Sequence, residues 1–214
     1  MTRAQTSYNV GTPPAESPNS VPATVTITHL ELRSPVDLRP KFCPRPDAQL
    51  VRVPVPTPEL NRFFYTAVGG DWYWLDRLGW NYTHWMKYLD RPELETWVVS
   101  VGGIPVGYFE LERQASEDVE IVYFGLLPAF TSGGLGGWAL TEAARRAWAM
   151  GAKRVWVHTC DLDHPAALGN YLARGFTPFK TETKVEDLPA KSPGPWAESG
   201  ETGRPTAQLP RRDD

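Results

Sequence analysis

The chain has 214 residues and a net charge of −3, so one domain of two packed layers is expected, with no basic field to attract nucleic acid or an anionic membrane. Two cysteines, Cys43 and Cys160, are too few for a disulfide framework and suit a reducing cytoplasm. The stretch from Met1 to Ala23 lacks the apolar core of a secretory leader, and no run of about 18 to 20 apolar residues offers a membrane span.

In chain order, residues 1–24 are rich in Pro, Ser, Thr and Asn, and too poor in large apolar side chains to offset their ordering entropy. They read as a disordered tail. Ala48 to Val55 alternates apolar and polar residues like a half-buried strand, and Pro54 and Pro56 put its end at an edge. Thr57 is placed to cap a helix that starts at Pro58 and runs to Gly69-Gly70. The aromatic stretch DWYWLDRLGW follows, and then a second helix over Tyr82 to Leu89.

Thr96 to Val101 and Ile104 to Glu112 form a hairpin about Gly102-Gly103, and Val119 to Leu127 is a third strand. Simple alternation puts Glu120 on the face of Val122, Phe124 and Leu126. A glycine-rich loop, Thr131 to Gly137, leads into a helix over Trp138 to Met150 whose Leu140, Ala143, Ala144, Ala147 and Trp148 share a face. Arg154 to Cys160 is a strand, His164 to Arg174 a short helix closed at Gly175, and Phe176 to Thr183 the last strand. Residues 185–214 read as a second disordered tail. The domain therefore spans 25–184 and is α/β (α+β), a mixed, mostly antiparallel central sheet flanked by helices.

A strand feeding a glycine-rich loop that opens a helix suits a phosphate. The free N–H groups of the first turn point outward, and the macrodipole favours an anion there. No Lys-Ser/Thr follows the loop, which excludes a P-loop, and its spacing is not that of a dinucleotide fingerprint. His158, Cys160 and His164 are loosely spaced with no C-x-x-C pair, so no metal site is expected. A buried histidine and a buried thiol are the plainer reading, with Cys160 as a nucleophile and His158 as its base the less favoured one.

The stretch LLPAFTSGGLGGWALTEAARRAW resembles the acetyl-CoA signature of the GCN5-related N-acetyltransferase superfamily, Q/R-x-x-G-x-G/A between a strand and a helix. Its six positions are Thr131, Ser132, Gly133, Gly134, Leu135 and Gly136 here, followed by Gly137. Downstream, DHPAALGNYLARGF is similar to the family's second cofactor segment through Ala167, Tyr171, Gly175 and Phe176. The resemblance covers about residues 48–183. Two positions depart from it: Thr131 stands where Gln or Arg is usual, and His164 where Asn is usual.

The resemblance implies acetyl-CoA as cosubstrate, with the backbone of Phe124 and Leu126 along the pantetheine arm and His164 beside the cofactor. It implies Glu120 as general base and Tyr171 as the acid that protonates the coenzyme A thiolate. The acceptor pocket falls at the first two helices, where Trp72, Trp74 and Trp80 form a wall for an amine and Asp71 and Asp76 attract its charge. The expected activity is direct acetyl transfer to a primary amine of a small molecule or peptide. A protein-lysine acetyltransferase and a non-catalytic acyl-CoA-binding module are the alternatives. A bacterial, cytoplasmic protein acting without nucleic acid or membrane is expected, and a homodimer is compatible with a sequence that encodes no oligomeric state.

Overall fold

The computed structural model describes residues 20–196. Seven strands form one sheet: β1 (Ser20–Leu32), β2 (Ala48–Arg52), β3 (Leu94–Val101), β4 (Ile104–Arg113), β5 (Asp118–Leu126), β6 (Arg154–Cys160) and β7 (Thr177–Pro189). Their order across the sheet is β2-β3-β4-β5-β6-β1-β7. All neighbours are antiparallel except β5 and β6, which run parallel. Four helices flank the sheet: α1 (Pro58–Gly69), α2 (Tyr82–Leu89), α3 (Leu135–Ala149) and α4 (Ala167–Ala173).

The helices divide between the two faces. Leu140, Ala143, Ala144 and Ala147 of α3 are fully buried against Phe109, Leu111, Val119, Ile121, Val155 and Val157, with Tyr171 and Phe176 closing the same core. On the opposite face, Phe64 and Val68 of α1 pack on Tyr108, and Tyr65 packs with Trp85, Tyr88 and Leu89 of α2. Burying a side chain of this size contributes roughly 1.5–3 kcal/mol. The small residues of α3 let that helix approach the sheet closely, whereas α1 and α2 stand off on large rings.

Several sequence expectations hold closely. Helix α1 has the expected limits, and the hairpin turns through Gly102 and Gly103, both at positive φ (57° and 82°), with Val101 paired to Ile104. Other expectations are corrected. Thr57 does not cap α1: its hydroxyl donates to the Val55 carbonyl instead. Strand β2 ends at Arg52, since Pro54 and Pro56 have no amide for the ladder. Helix α3 starts at Leu135 rather than Trp138, so Leu135, Gly136 and Gly137 form its first turn.

The largest correction concerns the chain ends. The tails expected over 1–24 and 185–214 lie outside the described residues for 1–19 and 197–214. Ser20–Thr24 and Val185–Pro189, by contrast, are strand. They pair with each other as the ends of β1 and β7, from Ser20↔Pro189 to Thr24↔Val185. Strand β1 pairs with β6 only over Ile27–Leu32, so its first half forms a two-stranded ribbon with β7 beyond the end of β6. The polar run KTETKVED carries no apolar stripe because β7 is an edge strand, exposed along most of its length. Main-chain pairing, not side-chain burial, holds it.

Gly175 stands in a close turn between α4 and β7. It has φ +95°, and a Cβ there would lie 2.0 Å from the Asp37 carbonyl oxygen. Left-handed strain alone costs roughly 1–2 kcal/mol for a residue with a side chain. Gly175→Ala is expected to lower unfolding free energy by more than this, about 3 kcal/mol, since the backbone must also part. Urea denaturation measures the loss.

Candidate active site

Strands β5 and β6 are ladder partners only from Asp118↔Arg154 to Glu120↔Trp156, after which they part. The cause lies in β5. Opposite Glu110 and Leu111 of β4 stand Tyr123 and Ile121, so Val122 is an extra residue and the strand bulges there. The Leu127 amide donates to the Val106 carbonyl on the β4 side at 2.7 Å. Alternation along the strand therefore turns the amides of Phe124 and Leu126 to the other edge, into the gap left by β6.

At the end of this gap lies the glycine loop. Thr131 donates to the Pro128 carbonyl, and Gly133 and Gly134 take φ +75° and +83° to bring the chain into α3. Gly134 is the N-cap residue and brings no side chain to the first-turn amides, which stay available to a ligand. Leu135 is buried, so it contributes main chain only. Gly134, Gly136 and Gly137 line the cleft together with Thr131, whereas Ser132 and Gly133 lie outside its lining.

Two cations stand over these glycines. A Cβ on Gly134 would lie 2.7 Å from Lys41 Nζ, and one on Gly137 would lie 2.5 Å from an Arg174 terminal nitrogen. The Lys41 main chain is anchored by its amide to Thr141 Oγ1 at 3.0 Å. Outward amides, bare glycines and two adjacent cations fit a diphosphate, and Lys41 supplies the charge that Thr131 lacks. Sequence reasoning missed Lys41, because it sits in the Pro-rich connection between β1 and β2, nearly a hundred residues from the motif.

From the loop, a cleft of about 870 Å³ runs through the β5–β6 gap to the aromatic segment after α1. Trp72, Trp74 and Trp80 all line it. Asp71 is exposed and outside the lining, and Asp76 lies inside it. The cleft is bridged. Trp74 Nε1 donates to Asp163 Oδ1 at 3.3 Å, and the Trp72 ring meets His164 edge-on at 4.9 Å. The chain beyond β7 ties the same segment down: Ser192 donates its hydroxyl to the Gly70 carbonyl, and the Gly194 amide donates to that carbonyl at 2.9 Å.

His164 accepts the Ala166 amide on Nδ1 at 3.0 Å, so it shapes the entry to α4 as well as lining the cleft. Tyr171 lines the cleft from α4 and is held protonated, its pKa raised by burial and then by Asp163. Burial, with Asp163, pushes the Cys160 thiol up to about 11, so it is un-ionised at neutral pH and unsuited to nucleophilic attack. Among the described residues no three His, Cys, Asp or Glu side chains converge to hold a metal.

The bulge at Val122 reverses the expected placement of Glu120. Beyond it, Phe124 and Leu126 continue the face of Val119 and Ile121, toward α3. Glu120 shares the opposite face with Tyr123 and Gly125, and lines the cleft there. Its Oε1 lies 3.3 Å from His158 Nδ1, and its Oε2 accepts from Gln114 Nε2 at 3.1 Å. Partial desolvation at the cleft wall acts against an imidazolium at His158, but Glu120, with Asp163 and Asp76, holds its pKa above the ordinary value.

Beneath the cleft lies a buried ion pair that sequence reasoning missed. Glu110 is wholly buried and accepts from Arg77 at 2.9 Å, Tyr88 at 2.7 Å and Asn61 at 2.8 Å. The Arg77 guanidinium lies 3.8 Å from the centre of the Tyr88 ring and 4.3 Å from that of Tyr123. Burial opposes its charge, while Tyr88 and Glu110 hold it protonated. The pair ties the aromatic segment to β4 at that end of the cleft.

The sheet thus opens between two parallel strands beside the glycine-rich start of α3. The family model for the acetyltransferase (GNAT) family matches residues 58–176, and the chain belongs to that family. In fold it is similar to a GCN5-related N-acetyltransferase from Kribbella flavida, with 22% identity and a TM-score of 0.56, over 78% of this chain and 60% of that one. A GCN5-related N-acetyltransferase from Sphaerobacter thermophilus gives 15% identity and a TM-score of 0.52, over 81% of this chain and 55% of that one. The chain thus spans less than two thirds of either relative. No curated protein matches it. Among the described residues no helix is long and apolar enough to cross a membrane.

Proposed function

We propose that the chain transfers the acetyl group of acetyl-CoA directly to a primary amine of a small molecule or peptide, in the cytoplasm. The observation that carries this reading is the continuity of one cleft, from the cation-flanked glycine loop, past the free amides of Phe124 and Leu126, to Glu120. The diphosphate rests on the first turn of α3 beside Lys41 and Arg174, and the pantetheine arm follows the open edge of β5. An amide of that edge faces the thioester oxygen and stabilises the charge that grows there. Glu120, paired with His158, provides the basic function on the acceptor side.

The thioester supplies the acetyl group. Attack by the amine nitrogen forms the amide C–N bond and breaks the C–S bond. Tyr171, kept protonated by burial, gives its proton to the departing thiolate. Tyr171→Phe is expected to lower kcat by about 100-fold with unchanged acetyl-CoA affinity; an unaltered kcat would remove Tyr171 from this role. The reading as a whole is tested by incubating the protein with acetyl-CoA and a panel of primary amines and following free thiol. Amine-dependent thiol release is expected. Release at one rate with and without every amine would refute transfer.

A further inference from the structure

We propose that His158, positioned by Glu120, is the group that takes the proton from the attacking amine. The inference rests on the acetyltransferase reading above and names the atom that performs its basic step. Both oxygens of Glu120 are already engaged, one by His158 and one by Gln114. Gln114 is itself fixed, since its Oε1 accepts from Trp156 Nε1 at 3.1 Å. The Glu120 side chain is only 13% exposed, whereas that of His158 is 45% exposed and lines the cleft. An amine arriving from the acceptor end therefore meets the imidazole before the carboxylate.

The chemistry of the ring completes the assignment. Nδ1 faces Glu120, so a proton held there leaves the lone pair on Nε2. As the amine nitrogen bonds to the acetyl carbon, its N–H proton passes to Nε2, and Glu120 stabilises the imidazolium that results. The C–S bond pair leaves with sulfur, which takes a proton from Tyr171. The imidazolium then releases its proton to water and the tyrosine is reprotonated, so amine and thioester have become amide and thiol.

The charged groups around His158 come from every neighbouring element. Glu120 lies on β5, Asp163 follows β6, and Asp76 lies between α1 and α2. His29 of β1 stands with its ring centre 5.8 Å from that of His158, and is bonded to Glu182 of β7, which also holds Lys180. Partial desolvation within the cleft disfavours a charged His158, yet Glu120 carries the net direction upward from 6.5. Neutral His158 is the working form, so activity is expected to rise with pH through a value above 6.5.

The test compares His158→Gln with Glu120→Gln, on kcat/KM against pH and on acetyl-CoA affinity. His158→Gln is expected to lose activity by about 100-fold or more and to abolish the acidic limb. Glu120→Gln is expected to lose about tenfold and to shift that limb to lower pH, because the carboxylate that raises the pKa is gone. Unchanged acetyl-CoA affinity in both keeps misfolding apart from lost catalysis. A Glu120→Gln loss equal to or greater than that of His158→Gln, with the limb retained when His158 is replaced, would overturn the assignment. Nitrogen-15 NMR of the imidazole decides it without turnover. A proton on Nδ1 and a titration above 6.5 that falls in Glu120→Gln are expected, and a proton on Nε2 would overturn it. If the wild type acetylates no amine, the functional reading fails, and the NMR result still reports separately on the Glu120–His158 pair.

Discussion

Glu110→Ala is expected to lower the unfolding free energy by about 3–5 kcal/mol. The substitution removes the partner of a buried guanidinium, leaves the Tyr88 hydroxyl without its acceptor and frees one of the two Asn61 donations. Arg77 is buried at the cleft wall among the rings of Tyr65, Tyr88, Tyr123, Trp80 and Trp85, which leave its guanidinium little access to water. Cation–π attraction to these five rings offsets part of the loss and does not replace a carboxylate. Replacing both partners, as Arg77→Met with Glu110→Leu, removes the uncompensated charge and is expected to be much milder than Glu110→Ala alone. Urea denaturation of the single and double variants measures both. A loss below about 1 kcal/mol for Glu110→Ala would mean that the pair does not hold the aromatic segment to β4.

The second large effect falls on binding. Gly134→Glu is expected to weaken acetyl-CoA binding on the order of 100-fold, since about 1.4 kcal/mol corresponds to each factor of ten. A carboxylate there stands at the start of α3, where the diphosphate is proposed to rest, and meets Lys41, so it opposes the ligand's charge and takes its counter-cation at once. Left-handed backbone at φ +83° adds strain to any side chain. Gly134→Ala separates the two causes. It carries the strain without the charge, and the atom its Cβ meets is the mobile tip of a lysine, so it is expected to bind acetyl-CoA within about tenfold of wild type. Equal binding by Gly134→Glu and wild type, read by calorimetry, would remove the loop from the ligand site.

Much of this architecture is legible in the sequence because it depends on local rules. Pro58 and Gly69-Gly70 bracket α1, Gly102-Gly103 can only be a tight turn, and Leu140, Ala143, Ala144 and Ala147 recur on one helical face. The glycine loop and Tyr171 are legible through the family resemblance, and both come to line one cleft. What depends on distant partners is not legible. The Ser20–Thr26 half of β1 contains Pro22 and two Thr, and it becomes a strand because β7 offers matching main chain, although of that ribbon only Val25 and Leu188, which are not ladder partners, are buried.

The bulge at Val122 leaves no local signature, yet it decides which face Glu120 occupies. Period-two alternation assumes an unbroken ladder, and one inserted residue inverts everything on one side of it. Glu110 lies in the apolar run VGYFELE as an acidic residue like any other. Its role appears only once Arg77, from the aromatic segment, is folded over it. Lys41 likewise gains meaning from standing over Gly134, a neighbour that no sequence spacing records.

Calorimetric titration of the purified protein with acetyl-CoA tests most directly whether this cleft is an acyl-CoA site. One-to-one binding in the micromolar range, weakened on the order of 100-fold in Gly134→Glu and retained in Tyr171→Phe, is expected. Absence of binding by the wild type would contradict it, and with it the assignment of the glycine loop, Lys41 and the open edge of β5 to the cosubstrate.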